Sequence, residues 1–139
     1  MIAFDTDVLT EILLGNPVVV DRAATIPPHE QAVPIVVLEE IIRGRLQVIR
    51  QAEASRARVT LSRDYDLFEQ TLGDIRQVTV LSYTPQADSL YRQWRHRRVR
   101  VSTHDLRIAA ICIAHEATLI SRNRRDFLQV PELHVDFWE

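Results

Sequence analysis

Asp5 and Asp7 close the apolar run Ile2-Ala3-Phe4 in the opening MIAFDTDVLTEIL. Glu39 and Glu40 follow the apolar stretch PIVVL, Asp105 stands at the head of THDLRIAAICIAHEA, and Asp126 lies just beyond TLIS with Asn123 between. Each of these sites sits beside a residue expected in a core: Phe4, Ile41, Leu106 and Phe127. A carboxylate carried into a core must be neutralised or find a cation. Acids gathered together repel, by about 4 kcal/mol per pair at ~4 Å and an effective dielectric of about 20, and a divalent cation removes that penalty. Oxygen donors alone suit Mg²⁺ or Mn²⁺. Zinc is disfavoured, because the five histidines (29, 96, 104, 115 and 134) include no HxxxH pair and the lone Cys112 lies in an apolar segment. Taken singly, each acid reads equally well as a helix N-terminal acid, worth about 0.3–1 kcal/mol. Asp105, for instance, could follow Thr103 in capping its helix.

The elements that must position these acids alternate along the chain. Residues 1–5 read as a short buried strand, 6–14 as a helix stopped at Gly15, and 17–25 as a second helix. Irregular chain is expected through the prolines of 26–34. The β-branched run at 32–37 reads as a buried strand, with helical spacing over 38–56 and again over 62–73. Strands are expected at 78–81, 118–121 and 133–138, and helices at 85–97 and 103–117. This order predicts a mostly parallel sheet with helices on both faces. Ligands of such sheets sit beyond the carboxyl ends of the strands, where these acids would lie.

At 139 residues the chain is expected to form a single domain over 1–139. An apolar fraction of 46% and a charged fraction of 26% are those of a soluble globule. No membrane-spanning run or signal pattern is visible, and one cysteine suits a reducing cytoplasm. Three glycines argue against a glycine-rich phosphate loop, and the net charge of -2 announces no nucleic acid. All 17 basic residues are arginine, which excludes chemistry that needs a lysine.

The segments MIAFDTDVLTEIL, VVLEEIIRG, THDLRIAAICIAHEATLISRNRRDF and LHVDFW resemble the PIN-domain ribonucleases, most closely the VapC-type toxins of prokaryotic toxin–antitoxin pairs. The resemblance runs the length of the chain and is most specific over 104–127. It implies a three-layer α/β/α PIN-like fold, Mg²⁺ or Mn²⁺ as cofactor, RNA as substrate, a small VapB-like antitoxin as partner and a homodimer. Carried over by position, the catalytic and metal-binding acids are Asp5, Glu40, Asp105 and Asp126, with Thr6, Asp7, Ser121 and Asn123 in support. Asp7 stands where the family commonly has Asn. Val37 stands where a capping Ser or Thr is common, so the helix bearing Glu40 is expected to be poorly capped. Of the adjacent Glu39 and Glu40, one should face the site and the other solvent.

Two other readings come from different classes. FDTDVLT also resembles the opening of haloacid-dehalogenase-type phosphatases, but that chemistry usually wants a lysine, and Leu9 stands at the position of its Thr or Val. An inactive PIN-like binding module is the second, against which the complete set of acids argues. The arginines of YRQWRHRRVR (Arg92, Arg95, Arg97, Arg98 and Arg100) and of RNRR (Arg122, Arg124 and Arg125) read either as solvated helix ends or as strips that hold RNA phosphates.

Overall fold

A computed structural model describes residues 1–55 and 60–139. In chain order the elements are β1 (Ile2–Phe4), α1 (Thr6–Leu13), α2 (Pro17–Ala23), a 3₁₀ turn (Pro28–Glu30), β2 (Gln31–Pro34), α3 (Ile35–Ala54), α4 (Leu61–Ile75), β3 (Val80–Leu81), α5 (Pro85–His96), α6 (Thr103–Ala114), β4 (Thr118–Ser121), α7 (Arg124–Phe127) and β5 (Val135–Phe137). The strands pair in the order β3-β2-β1-β4-β5, and every pairing is parallel. Parallel neighbours cannot be joined by hairpins, so each step crosses over through helices. The result is the three-layer α/β/α, PIN-like arrangement expected from the sequence.

β1 lies in the middle, with Ala3 in register with Ala32 of β2 and Leu119 of β4. The strand order reverses there: β2 and β3 continue to one side, β4 and β5 to the other. Chains leaving β1 and β4 open a crevice at the carboxyl edge between them. Gly15 ends the first helical segment with φ 77°, a conformation that costs a glycine little. α6 is the central helix. Leu106, Ile108, Ala109, Ala110, Ile111 and Cys112 are all fully buried, so the helix is apolar on nearly every side. Burial also pushes the Cys112 thiol well above its ordinary pKa, as befits an inert core cysteine. The C-terminus is tied back by Trp138, edge-on to Phe4 at 6.0 Å and under the Arg22 guanidinium at 4.7 Å. Among the described residues no helix is long and apolar enough to cross a membrane.

One boundary departs from the sequence reading, and it matters for the site. The strand expected over 32–37 stops at Pro34, and Ile35, Val36 and Val37 already belong to α3. Pro34 is the N-cap, with φ -60° and ψ 139°, and makes no side-chain cap bond. The β-branched run favours a strand only weakly. Here Val36, Val37 and Leu38 gain burial on the helix instead, at 7%, 0% and 4% exposure. Val37 is therefore a core residue and not a cap, and Glu39 and Glu40 stand in the second helical turn, not the first. The strands expected at 78–81 and 133–138 shorten to Val80–Leu81 and Val135–Phe137. The helix expected over 103–117 ends at Ala114. Of the helix expected over 38–56, position 56 lies outside the described residues.

Candidate active site

Asp5 is the first residue after β1 and the N-cap of α1. Its backbone N–H donates to Ile120 O at 2.9 Å, which fixes it at the β1–β4 crevice. The side chain is 5% exposed. One carboxylate oxygen accepts from the Thr6 N–H at 2.8 Å, the other from the buried Ser121 hydroxyl at 2.7 Å. Burial raises its pKa to about 6 despite these two bonds, and the charges of Asp105 and Asp7 push it further up.

The other acids arrive from three separate elements. Glu40 projects from α3, and its Oε2 accepts from the Thr6 hydroxyl at 2.9 Å. Asp105 lies in the first turn of α6, where Ser102, not Thr103, is the cap and accepts from the Asp105 N–H. Burial also raises the Asp105 carboxyl to about 6; the Ser102 hydroxyl opposes the rise, and Glu40 and Asp126 add to it. Asp126 lies in α7, whose cap is Asn123. The Asn123 amide donates to Asp105 Oδ2 at 3.2 Å and to Asp126 Oδ2 at 3.0 Å. Asn123 N–H in turn donates to Ser121 Oγ at 3.0 Å.

Three neutral residues therefore knit the four acids together, through their side chains and the Thr6 and Asn123 backbone N–H groups. Thr6 joins Asp5 to Glu40, Ser121 joins Asp5 to Asn123, and Asn123 joins Asp105 to Asp126. Among the described residues no arginine pairs with Asp5, Glu40, Asp105 or Asp126. The basic group at hand among the described residues is His104, with Nδ1 at 3.7 Å from Glu40 and Nε2 at 3.5 Å from Glu39. Sequence reasoning missed His104, because its contacts run to α3 and leave no mark on the local pattern. Capping explains little of Glu40, since dipole stabilisation fades within the first turn. Asp7 is exposed and contributes charge at a distance, while Glu39 is exposed and paired with Arg43 at 3.0 Å.

The donor set fits a hard divalent cation: it consists of oxygen ligands alone, carrying charge that no arginine among the described residues compensates. The carboxylates are linked through bridging residues, and among the described residues no group of three or more His, Cys, Asp or Glu side chains stands close enough together to hold a metal ion.

The arginines divide into two groups. Arg95 is turned inward: its guanidinium donates to Tyr91 Oη, Val99 O and Thr103 Oγ1, and lies 5.5 Å from the Tyr91 ring centroid. Trp94 is core, at 4% exposure. Arg92 pairs with Asp88 at 2.8 Å, Arg122 donates to Trp138 O, and Arg124 donates to Glu139 at 2.6 Å. Arg97, Arg98, Arg100 and Arg125 are exposed, and their side chains have no partner among the described residues.

No protein-family model matches the chain. It is 36% identical over 53 residues to Ribonuclease VapC of Rickettsia bellii (strain RML369-C), a stretch that covers 38% of this chain and 37% of that protein. Its fold is similar to that of VapBC from Salmonella typhimurium in a DNA-bound crystal structure, with TM-score 0.73, 21% identity and 100% of both chains covered. A toxin–antitoxin complex from Klebsiella pneumoniae matches with TM-score 0.69 and 19% identity over 96% of this chain and 95% of that one. The resemblance to VapC-type PIN proteins read from the sequence thus holds for the fold along the whole chain, and for the sequence along part of it.

Proposed function

We propose that this chain is a metal-dependent endoribonuclease and the toxin of a VapBC-type pair. The carrying observation is the convergence of Asp5, Glu40, Asp105 and Asp126 from four elements onto one crevice, with no arginine among the described residues to neutralise them. The likeness to Ribonuclease VapC supports the ribonuclease reading, and the VapBC and toxin–antitoxin neighbours support a small antitoxin as partner. A homodimer and a cytoplasmic place belong to the same reading. The phosphatase alternative is weakened because Asp7, its general acid, faces solvent, and Leu9 is a core residue at 4% exposure.

The four carboxylates would hold one or two Mg²⁺ or Mn²⁺ ions. When bound, such an ion activates water and stabilises charge on a scissile phosphate. The chain's own contribution is orientation. Ser121 and the Thr6 N–H fix both oxygens of Asp5, leaving its remaining lone pairs for the ion. The Thr6 hydroxyl turns Glu40 toward Asp5. Asn123 sets the Asp105 and Asp126 carboxylates side by side. His104 stands against Glu40 on its outer side.

The test is chelation. EDTA should stop RNA cleavage by the purified protein, and Mg²⁺ or Mn²⁺ should restore it. Saturating metal should also raise the melting temperature, since an ion at a hundred times its Kd stabilises by about 2.7 kcal/mol. Cleavage that persists in EDTA would sink the metal-dependent mechanism.

The split among the arginines gives a second expectation. Arg97→Gln with Arg98→Gln should weaken single-stranded RNA binding and lower its salt slope by up to about 0.7 per lost phosphate contact, with stability nearly unchanged. Arg95→Ala should instead cost roughly 1 kcal/mol of stability, because the half-buried Tyr91, Val99 and Thr103 lose their donor. A double variant with the parent's salt slope would remove these arginines from the RNA path.

A further inference from the structure

Beside the acid crevice lies a second cleft, of about 310 Å³, lined by Ile35, Val36 and Glu39 of α3, by Tyr83, and by Arg107 of α6. Three features set it apart from ordinary surface. The Arg107 guanidinium is held 4.9 Å from the Tyr91 centroid and 6.0 Å from the Tyr83 centroid, yet it has no ion pair among the described residues. Its Nε is buried without a hydrogen-bond partner there. The half-buried guanidinium also meets the Tyr83 hydroxyl, but these contacts with two tyrosines leave its buried Nε unsatisfied, which is costly. Second, Tyr83 is held in place by donating its hydroxyl to Asp88 at 2.9 Å, so its ring is a fixed wall. Third, Ile35 leaves 40% of its surface exposed at the mouth, an apolar contact waiting for a flat partner.

The cleft neighbours the acids through Glu39 and His104. Its rim residue Glu39 is engaged by Arg43 and by His104 Nε2, and the other nitrogen of the same imidazole faces Glu40. One imidazole ring therefore separates the cleft's rim from the proposed metal site. A volume near the low end of the roughly 300–1,000 Å³ of small-ligand pockets suits one planar group and excludes a duplex. An aromatic wall and a guanidinium plane are what unstacked RNA bases bind.

We infer that this cleft is a base subsite, holding a single-stranded RNA base next to the scissile phosphate between Ile35 and Tyr83, with Arg107 bonding the base edge or its phosphate. The inference rests on the ribonuclease reading and deepens it by naming where substrate preference arises.

The test measures RNA binding apart from cleavage. In an Asp105→Asn background, single-stranded oligonucleotides carrying 5-iodouridine are titrated and then photo-crosslinked. Crosslinks should map to Tyr83, and adding either Arg107→Gln or Ile35→Glu should weaken binding roughly tenfold. Ile35→Glu guards against misfolding, because an acid in the first turn of α3 suits the helix. If both variants bind within about twofold of the parent and crosslinks fall elsewhere, the subsite is wrong, and a side chain of a protein partner becomes the occupant to seek. A parent that binds no RNA overturns it equally. RNA bound through the cleft by a wild type that never cleaves would keep the subsite and sink the nuclease reading. Cleavage with an unused cleft would do the reverse.

Discussion

Replacing Asp5 by asparagine should abolish RNA cleavage and, in the absence of metal, make the protein more stable at neutral pH. The loss of activity should exceed the roughly 10–100-fold that removing an outer partner of a metal ligand costs, because Asp5 is the most buried of the four acids and stands at the crevice itself. The gain in stability follows from the sign of its titration. In the folded chain the carboxyl is raised from 3.8 to about 6, chiefly by burial. Between those values the folded state binds more protons than the unfolded one, so stability falls as pH rises through that window. At pH 7 the ionised group has cost about 3 kcal/mol, at 1.36 kcal/mol per pH unit. Asparagine carries no charge and can keep an oxygen for the Thr6 N–H, so part of that cost returns. Urea midpoints in EDTA should therefore be higher for Asp5→Asn than for wild type at pH 7, and the two should converge at pH 4. Asp105, also raised to about 6 but less buried, acts in the same direction more weakly. Wild-type cleavage by the variant would remove Asp5 from the site. A midpoint no higher than wild type at pH 7 would show that its burial is not a cost.

The parts of the fold that burial dictates were legible in the sequence. Ile2-Ala3-Phe4 and Thr118-Leu119-Ile120-Ser121 are runs that only a covered parallel strand explains, and α6 declares itself by an apolar stretch too long for a strand. The acids could be singled out because each lies at the head of a helix beside a core residue, although each taken alone also has an ordinary reason to be there as a helix N-terminal acid. What could not be read was whatever depends on partners distant in the chain. Ile35-Val36-Val37 carries strand propensity, and only the packing of α3 on the sheet assigns it to a helix. The position of His104 between Glu39 and Glu40 joins residues more than sixty apart. Arg95 and Arg97 lie two residues apart, yet one is bonded to Thr103 and the other has no side-chain partner among the described residues, because α5 turns only one of them toward α6. Thr6 and Asn123 could be placed near the acids by resemblance, but their bridging roles emerge from hydrogen bonds across thirty-four and eighteen residues.

Phe127→Ala should be the most destabilising single change near the site, and it should remove function before it unfolds the chain. α7 has four residues, too few to be stable alone. Two things hold it: the Asn123 cap on one side and the Phe127 ring on the other, 1% exposed and among the largest fully buried side chains. Removing the ring should cost about 3–5 kcal/mol through lost burial and the cavity left behind. A typical domain is stable by only about 5–15 kcal/mol, so the variant should still fold at low temperature without denaturant. In that folded state α7 has lost its anchor, and Asp126, one residue earlier, loses its fixed position against Asn123. Cleavage should then drop well beyond any change in the folded fraction. Phe127→Leu separates the two effects. It refills most of the volume, should cost about 1.5 kcal/mol or less, and should keep most of the activity. Urea melts and cleavage rates measured side by side on both variants check this. If Phe127→Ala is fully active wherever it is folded, Asp126 does not need α7 to place it. The fourth acid then belongs to the fold's capping chemistry and not to the reaction.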